Sequence, residues 1–228
     1  MDPLSWALLG LLGAWAALDG VSAGQFMVSR PLVTATLTGW LLGDPTTGFV
    51  LGLFLEVVHL AGLPVGAVQL PEPGPAAIPA TVAAMILGGG EGLALGAALG
   101  VALAVVGGWT VVVQRRWQGR LVHGAVGGAV VPETVGRRLV LALALDGLRG
   151  LTLTWAGTAL ALSLAPVLQG AWPLGPRETV ALLVILSAFS AGTLLSNLPT
   201  RRRRAPLLLL GLGGGILLSL LLASGATP

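Results

Sequence analysis

The sequence contains no cysteine, no lysine and no tyrosine, and only 9% of its 228 residues are charged. The absence of cysteine excludes disulfides, thiolate catalysis and cysteine-based metal sites. Two histidines and singly scattered carboxylates form no recognisable metal-binding motif. Soluble domains carry about 25% charged residues. The low charge, together with 55% hydrophobic residues, therefore predicts an integral membrane protein.

The positive charge does not indicate a nucleic-acid partner. All the cations are arginines, the net charge is +3, and the arginines fall between apolar runs. Phosphoryl-transfer chemistry is also unsupported, because the chain has no nucleophile–base spacing and no glycine-rich phosphate loop followed by lysine. We expect neither a catalytic role nor a cofactor.

The first third of the chain lacks a long uninterrupted apolar run. From Gln25 to Pro79, no apolar run reaches the ~20 residues of a straight membrane crossing. Prolines between Leu63 and Pro79 exclude a continuous helix there. Irregular backbone survives in lipid only where protein covers it or where it lines a wet cavity. Broken helices around ionisable residues are typical of a solute site. The polar interruptions are Arg30, Asp44, Glu56, His59, Gln69 and Glu72.

Two short signals mark helix starts inside this region. Asp44 before Pro45 predicts an N-cap followed by a proline at the first helical position. Ser29-Arg30-Pro31 predicts a similar start. We therefore expect short helices at Pro31–Gly43, Pro45–Leu63 and Ala76–Leu87, after a short membrane helix around Leu4–Leu18.

Six short pieces of sequence occur through the same region, across about the first third of the chain. They are Gln25, Ser29-Arg30-Pro31-Leu32-Val33, Gly43-Asp44-Pro45-x-Thr47-Gly48, Leu55-Glu56, Pro64-Val65-Gly66-Ala67 and Pro71-Glu72. In order and spacing, these pieces resemble the enzyme IIC subunit of phosphotransferase-system sugar permeases of the mannose/fructose/sorbose family. Leu148-Arg149 is a further local match.

The resemblance implies sugar uptake across the bacterial cytoplasmic membrane, with no phosphoryl transfer by this chain. A separate cytosolic IIB subunit, charged through IIA, would phosphorylate the sugar. A IID subunit would be the membrane partner in an oligomeric complex. Two alternatives stay open, a non-transporting membrane scaffold and a transporter of a small non-sugar solute. Neighbouring IID, IIB and IIA reading frames would favour sugar transport over the scaffold.

Two carboxylates lead the candidate substrate contacts. Glu56 lies within an apolar helix, where a carboxylate needs a cavity, a cation or a hydrogen-bond partner. It either contacts sugar hydroxyls or serves Arg30 or a helix end. Glu72 lies between two prolines, and it either contacts sugar or lies at the membrane surface. The family pattern has Asp at this position, so the longer side chain brings an identical substrate preference into question. Gln69 belongs to the same loop.

The other candidates have weaker support. His59, three residues after Glu56, is either a hydrogen-bonded core residue or a ligand contact. Gln25 matches the family pattern and could donate to a sugar hydroxyl. Asp44 is predicted to be structural, as an N-cap, with a direct functional role as the alternative. Arg30 either neutralises Glu56 or Glu72 or anchors a helix end.

Asp146 and Arg149 are spaced so that they can pair on one helix face. They either form such a pair, with a gating or packing role, or lie at the cytoplasmic water boundary.

The last two-thirds of the chain predicts full spans. We expect them at Leu93–Val113, Val140–Leu164, Thr179–Leu198 and Pro206–Ala223, with arginine-rich cytoplasmic loops at 114–138 and 200–205. Glycines four apart, at Gly92, Gly96 and Gly100, predict close helix packing. The similar segments Thr38-Gly39-x-x-x-Gly43 and Thr47-Gly48-x-x-x-Gly52 indicate the same packing, with an internal fold repeat as the alternative.

The predicted fold is therefore all-α and polytopic, with full spans plus re-entrant or broken helices in the N-terminal part. Residues 1–228 would form a single membrane domain. Residues 1–90 would carry the site and residues 91–228 the spans.

Overall fold

The computed structural model describes residues 1–60, 71–123, 132–175, 178–185 and 187–188, apart from the side chains of residues 120–123 and 132–134. These ranges are helical with no strand, which confirms the predicted all-α class. A helical segment at residues 178–185 follows six helices. The six are α1 (Pro3–Val21), α2 (Pro31–Leu42), α3 (Pro45–His59), α4 (Pro73–Leu87), α5 (Gly89–His123) and α6 (Pro132–Leu168).

Helix lengths divide the described part into two kinds of element. Three helices are long and apolar enough to cross a membrane, within Pro3–Val21, Gly89–Gly119 and Val135–Leu168. The 12 residues of α2 and the 15 residues each of α3 and α4 rise only about 18–23 Å at 1.5 Å per residue. That is short of a hydrocarbon core of about 30 Å. Full spans and broken helices thus coexist as predicted.

The two central spans extend beyond their predicted ends. The stretch 114–138 is predicted to be a polar loop, but α5 continues to His123 and α6 begins at Pro132. Similarly, the loop predicted at 88–92 is reduced to Gly88, and α5 starts at Gly89. Arginine and glutamine favour helix, and arginine can lay its apolar stem along a helix while its charge reaches water. The polar residues therefore interrupt the apolar pattern, but the helices continue through them.

Helix α4 lies at the centre of the bundle. It contacts each of α1, α2, α3, α5 and α6. Every residue from Gly74 to Ala84 is buried, so no face of this stretch of the helix is exposed. The residues are nearly all small, which lets five helices approach its axis. Thr81 satisfies its own hydroxyl by donating to Ala77 O at 2.8 Å. The burial of this stretch therefore leaves the hydroxyl of Thr81 paired.

The start of α4 corrects the prediction that prolines exclude helix as far as Pro79. The helix begins at Pro73 and contains Pro75 and Pro79. The first N–H groups of a helix have no partner within it, so prolines at the first and third positions sacrifice no hydrogen bond. Only Pro79 removes an internal bond, and its ring fills the space beside Gly157 of α6, where a Cβ would lie 2.8 Å from Pro79 Cγ.

The glycine spacings correspond to close helix contacts, as predicted, except at Gly43, where a Cβ would meet nothing within 4 Å. A Cβ on Gly92 would lie 2.3 Å from Ala84 O, and one on Gly96 would lie 2.7 Å from Ala80 O. These contacts run antiparallel and join α5 to α4. In the α2–α3 hairpin, a Cβ on Gly39 would lie 3.0 Å from the Cα of Gly48. Backbone-to-backbone approach at these positions requires glycine.

Candidate functional site

A cavity of about 510 Å³ lies where the broken helices end. It is bordered by the start of α2, the end of α3 and the start of α4, with walls from α1 and α5. Helix N-termini carry partial positive charge, so two of these ends favour oxygen-rich ligands. The charged and polar residues that line the cavity are Ser29, Arg30, Glu56, His59, Glu72 and Arg115.

Glu56 ties α3 to the start of α2. Arg30 Nη1 donates to its Oε1 at 3.0 Å, and the backbone N–H of Leu32 donates to its Oε2 at 3.4 Å. The Glu56 side chain is 18% exposed and that of Arg30 is 48% exposed. Both structural roles expected for Glu56 are thus present, and the carboxylate also lines the cavity. Each carboxylate oxygen has two lone pairs, so these contacts leave capacity for a ligand hydroxyl.

Glu72 is buried rather than placed at a water boundary. Its side chain accepts hydrogen bonds from both terminal nitrogens of Arg149, with Nη2 to Oε1 at 2.7 Å and Nη1 to Oε2. The two side chains are 8% and 9% exposed. The backbone N–H of Glu72 donates to Ala104 O of α5 at 2.8 Å. Glu72 is therefore not an exposed carboxylate, and the residue fastens the start of α4 to α5 and α6.

The predicted pairing of Asp146 with Arg149 is also wrong. Asp146 is buried and accepts from Ser22 Oγ, at the end of α1, and from Gln114 Nε2 of α5 at 2.6 Å. Arg149 is taken by Glu72, which lies 77 positions away in the sequence. Glu72, just before α4, meets the guanidinium in parallel with two hydrogen bonds, which suits the arginine fork better than a neighbour one turn away. Both side chains are buried.

His59 and Asp44 take their expected structural contacts. His59 Nδ1 lies 2.8 Å from Leu55 O, so Nδ1 is the donor and Nε2 is the remaining polar atom of the ring. His59 also lines the cavity. The Asp44 carboxylate accepts from the backbone N–H of Thr47 at 3.0 Å, which confirms the N-cap of α3. Asp44 is not among the residues that line the cavity.

Gln25 of the candidate set does not line the cavity. Gln25 is exposed, with φ of 56°, in the loop between α1 and α2. Val21 and Ser29, at the two ends of that loop, do line the cavity. Gln69 lies outside the described residues, as do the arginine run 201–204 and the span predicted at Pro206–Ala223.

Several contributing residues gave no signal in the sequence. Asp19 is 2% exposed and holds the α1–α2 loop by accepting from the backbone N–H groups of Ser29, at 2.9 Å, and of Phe26. Gln114 and Arg115 appeared only as part of a polar stretch. Their roles depend on which face of α5 turns inward, and the length of α5 had to be known first.

Comparison with known proteins places this arrangement in a family. The family model described as the phosphotransferase system sorbose-specific IIC component matches residues 3–130. The sorbose-specific EIIC component of Klebsiella pneumoniae is 32% identical over 127 residues, covering 55% of this chain and 47% of the relative. The mannose-specific EIIC component of Escherichia coli K12 is 36% identical over 75 residues, covering 31% of this chain and 27% of the relative.

The fructose permease IIC component of Bacillus subtilis is 36% identical over 84 residues, covering 35% of this chain and 31% of the relative. In each of these three matches, the chain covers less than half of the relative's length.

Two solved structures share the fold over nearly the whole chain. A chain described as a membrane protein has a TM-score of 0.70 at 19% identity, and the match covers 98% of this chain and 96% of that one. A chain of the mannose transporter ManYZ in complex with microcin E492 has a TM-score of 0.59 at 20% identity, with the same coverage of 98% and 96%. The family match covers more than half of the sequence, and this multi-pass chain therefore belongs to the sorbose-specific IIC component family of the phosphotransferase system.

Proposed function

We propose that this chain is the membrane-translocating IIC subunit of a phosphoenolpyruvate-dependent sugar phosphotransferase system. It binds a hexose-type sugar and moves it inward for phosphorylation by a separate IIB subunit. The observation that carries the proposal is the cavity of about 510 Å³ among three helix ends, with two carboxylates on its wall. Its volume falls within the about 300–1,000 Å³ of small-molecule sites.

The chemistry of the wall supports a polyhydroxylated ligand. Carboxylates accept hydrogen bonds from neighbouring hydroxyls, while an arginine and a histidine ring supply further polar contacts. We assign substrate contact to Glu56, Glu72 and His59, which line the cavity. Gln25 belongs to the proposed set because it lies on the loop whose two ends line the cavity. Gln69 belongs to it by its place in the family pattern.

The proposed partners are a IID membrane subunit and cytosolic IIA and IIB subunits, in an oligomeric complex of the bacterial cytoplasmic membrane. The names of the relatives support this assignment, since each is a IIC component. The outer faces of α5 and α6 support membrane or subunit contact, because they expose large apolar side chains such as Val105, Leu148 and Val167.

The arrangement of the helices supports a mode of transport. The α2–α3 hairpin borders one side of the cavity, whereas α4 is fastened to α5 and α6 through Glu72. In our proposal, this hairpin moves against α4, α5 and α6, so the cavity opens first to one side of the membrane and then to the other.

The test is uptake by right-side-out membrane vesicles that contain the complete complex. Labelled L-sorbose, D-mannose and D-fructose serve as probes, with and without internal phosphoenolpyruvate and the cytosolic phosphotransferase proteins. We expect at least one sugar to accumulate as its phosphate, and only when phosphoenolpyruvate is supplied. Accumulation of unmodified sugar without phosphoenolpyruvate would contradict coupled transport. Uptake of none of the three in an assembled complex would contradict the proposed function.

A further inference from the structure

The cavity wall depends on a residue that does not itself line the cavity. Glu72 is on the wall, whereas Arg149 lies behind it on α6. Both carboxylate oxygens of Glu72 accept from Arg149, so the plane of the carboxylate is set by the guanidinium. A lysine in this place would offer a point charge without the fixed fork that orients both oxygens.

The guanidinium is itself held in place by α5. Arg149 Nη1 lies 3.4 Å from Thr110 Oγ1, which in turn donates to Gly107 O at 2.7 Å. Because that hydroxyl gives its proton to Gly107, its lone pairs are available to Arg149. Gly107 also leaves room for the pair, since a Cβ there would lie 3.1 Å from Glu72 Oε2. Thr110 of α5 thus helps to hold Arg149 of α6, and Arg149 in turn sets the orientation of Glu72.

The pair is not arranged for stability alone. Arg149 Nε is buried and has no hydrogen-bond partner in the described part of the chain. A buried donor without a partner weakens folding, and a pair of apolar residues could fill such a position without that cost. Retention of a charged, incompletely satisfied pair directly behind a cavity wall favours a role at the cavity.

We propose that Arg149 is a positioning residue for the sugar site. It holds the Glu72 carboxylate in one orientation within the protein interior and fixes the direction from which ligand hydroxyls approach its oxygens. The inference rests on the proposed function. Arg149 needs no contact with the sugar in this scheme, because it acts entirely through Glu72.

The test is a double-mutant cycle on sugar affinity. The purified complex is prepared as the parent, Glu72→Gln, Arg149→Gln and the combined variant, and binding of L-sorbose, D-mannose and D-fructose is measured by calorimetry. We expect each single change to weaken the Kd at least tenfold. The combined variant should bind no more weakly than Glu72→Gln alone, because Arg149 has nothing left to orient. Losses that multiply in the combined variant would overturn the inference, as would an unchanged Kd in Arg149→Gln.

A second variant covers the case in which Arg149→Gln fails to assemble. Arg149→Lys preserves the charge but not the fork, and we expect a Kd weakened severalfold in the parent background and unchanged in the Glu72→Gln background. An equal loss in both backgrounds would show that Arg149 acts on the fold rather than through Glu72. If the parent binds none of the three sugars, the proposed function fails and this inference fails with it. If the parent binds and no coupling is seen, the inference alone fails.

Discussion

Gly13 of α1 and Gly150 of α6 lie back to back, with no room for a side chain between the two helices. A Cβ on Gly150 would lie 2.5 Å from Gly13 O, and a Cβ on Gly13 would lie 3.1 Å from Gly150 O. Lipid offers no hydrophobic drive between membrane helices, so close van der Waals contact of this kind holds them together. Since α1 supplies one wall of the cavity and α6 carries Arg149, this contact sets part of the geometry of the site.

Replacing Gly150 with alanine should therefore destabilise the complex. The new methyl would lie 2.3 Å from Ala17 Cβ, and overpacking of this kind costs about 1–3 kcal/mol. We expect a lower melting temperature for the detergent-solubilised complex. Gly147→Ala is the matched control on the same helix, because the nearest atom to its Cβ is 3.6 Å away. Equal melting temperatures for the two variants would contradict the close contact.

Replacing Asp19 with alanine should release the loop between α1 and α2. The buried carboxylate accepts from the backbone N–H groups of Phe26 and Ser29, and the change leaves both donors without this partner. We expect faster cleavage after the exposed Phe26 in limited chymotrypsin digestion. Asp19→Asn, which keeps one accepting oxygen, should give an intermediate rate. Identical digestion of all three proteins would show that Asp19 does not hold the loop.

Replacing Asp44 with alanine tests the N-cap assignment. The carboxylate accepts from the backbone N–H of Thr47, and loss of such a cap costs about 1 kcal/mol. We expect a modest fall in thermal stability, reversed by Asp44→Ser. Sugar affinity should not change, because Asp44 is not part of the cavity wall. A loss of affinity at unchanged stability would instead give Asp44 a direct functional role.

Replacing Glu56 with alanine should abolish sugar binding while the complex still assembles. The change removes a carboxylate from the cavity wall and leaves Arg30 without its partner. Calorimetry on the purified complex is the measurement. Glu91→Ala is the control. Glu91 is in the first turn of α5, which follows the C-terminal end of α4, whereas the cavity lies at the N-terminal end of α4. Unaltered affinity in Glu56→Ala would remove Glu56 from the proposed site.

The local features of the site region were predictable because their signals are local. The N-cap at Asp44 needs only Asp44, Pro45 and Thr47, which are neighbours in the chain. The glycine contacts of α5 with α4 follow from a four-residue spacing that puts small residues on one face. The start of α4 was missed for a different reason. Prolines end a helix when they lie inside it but are tolerated in its first turn, and the residues alone do not say which case applies.

By itself, the sequence determined that the chain lies in a membrane, that its first third is broken into short helices, and which family it belongs to. These conclusions depend on composition, proline spacing and motif order, which are all visible in the linear sequence. Only the tertiary structure decided which charges meet. Arg149 binds the carboxylate of Glu72, which is 77 positions away, rather than that of Asp146, which is three residues away in the sequence. In a low-dielectric interior, the partner that offers two aligned hydrogen bonds prevails over the one that is merely near in sequence.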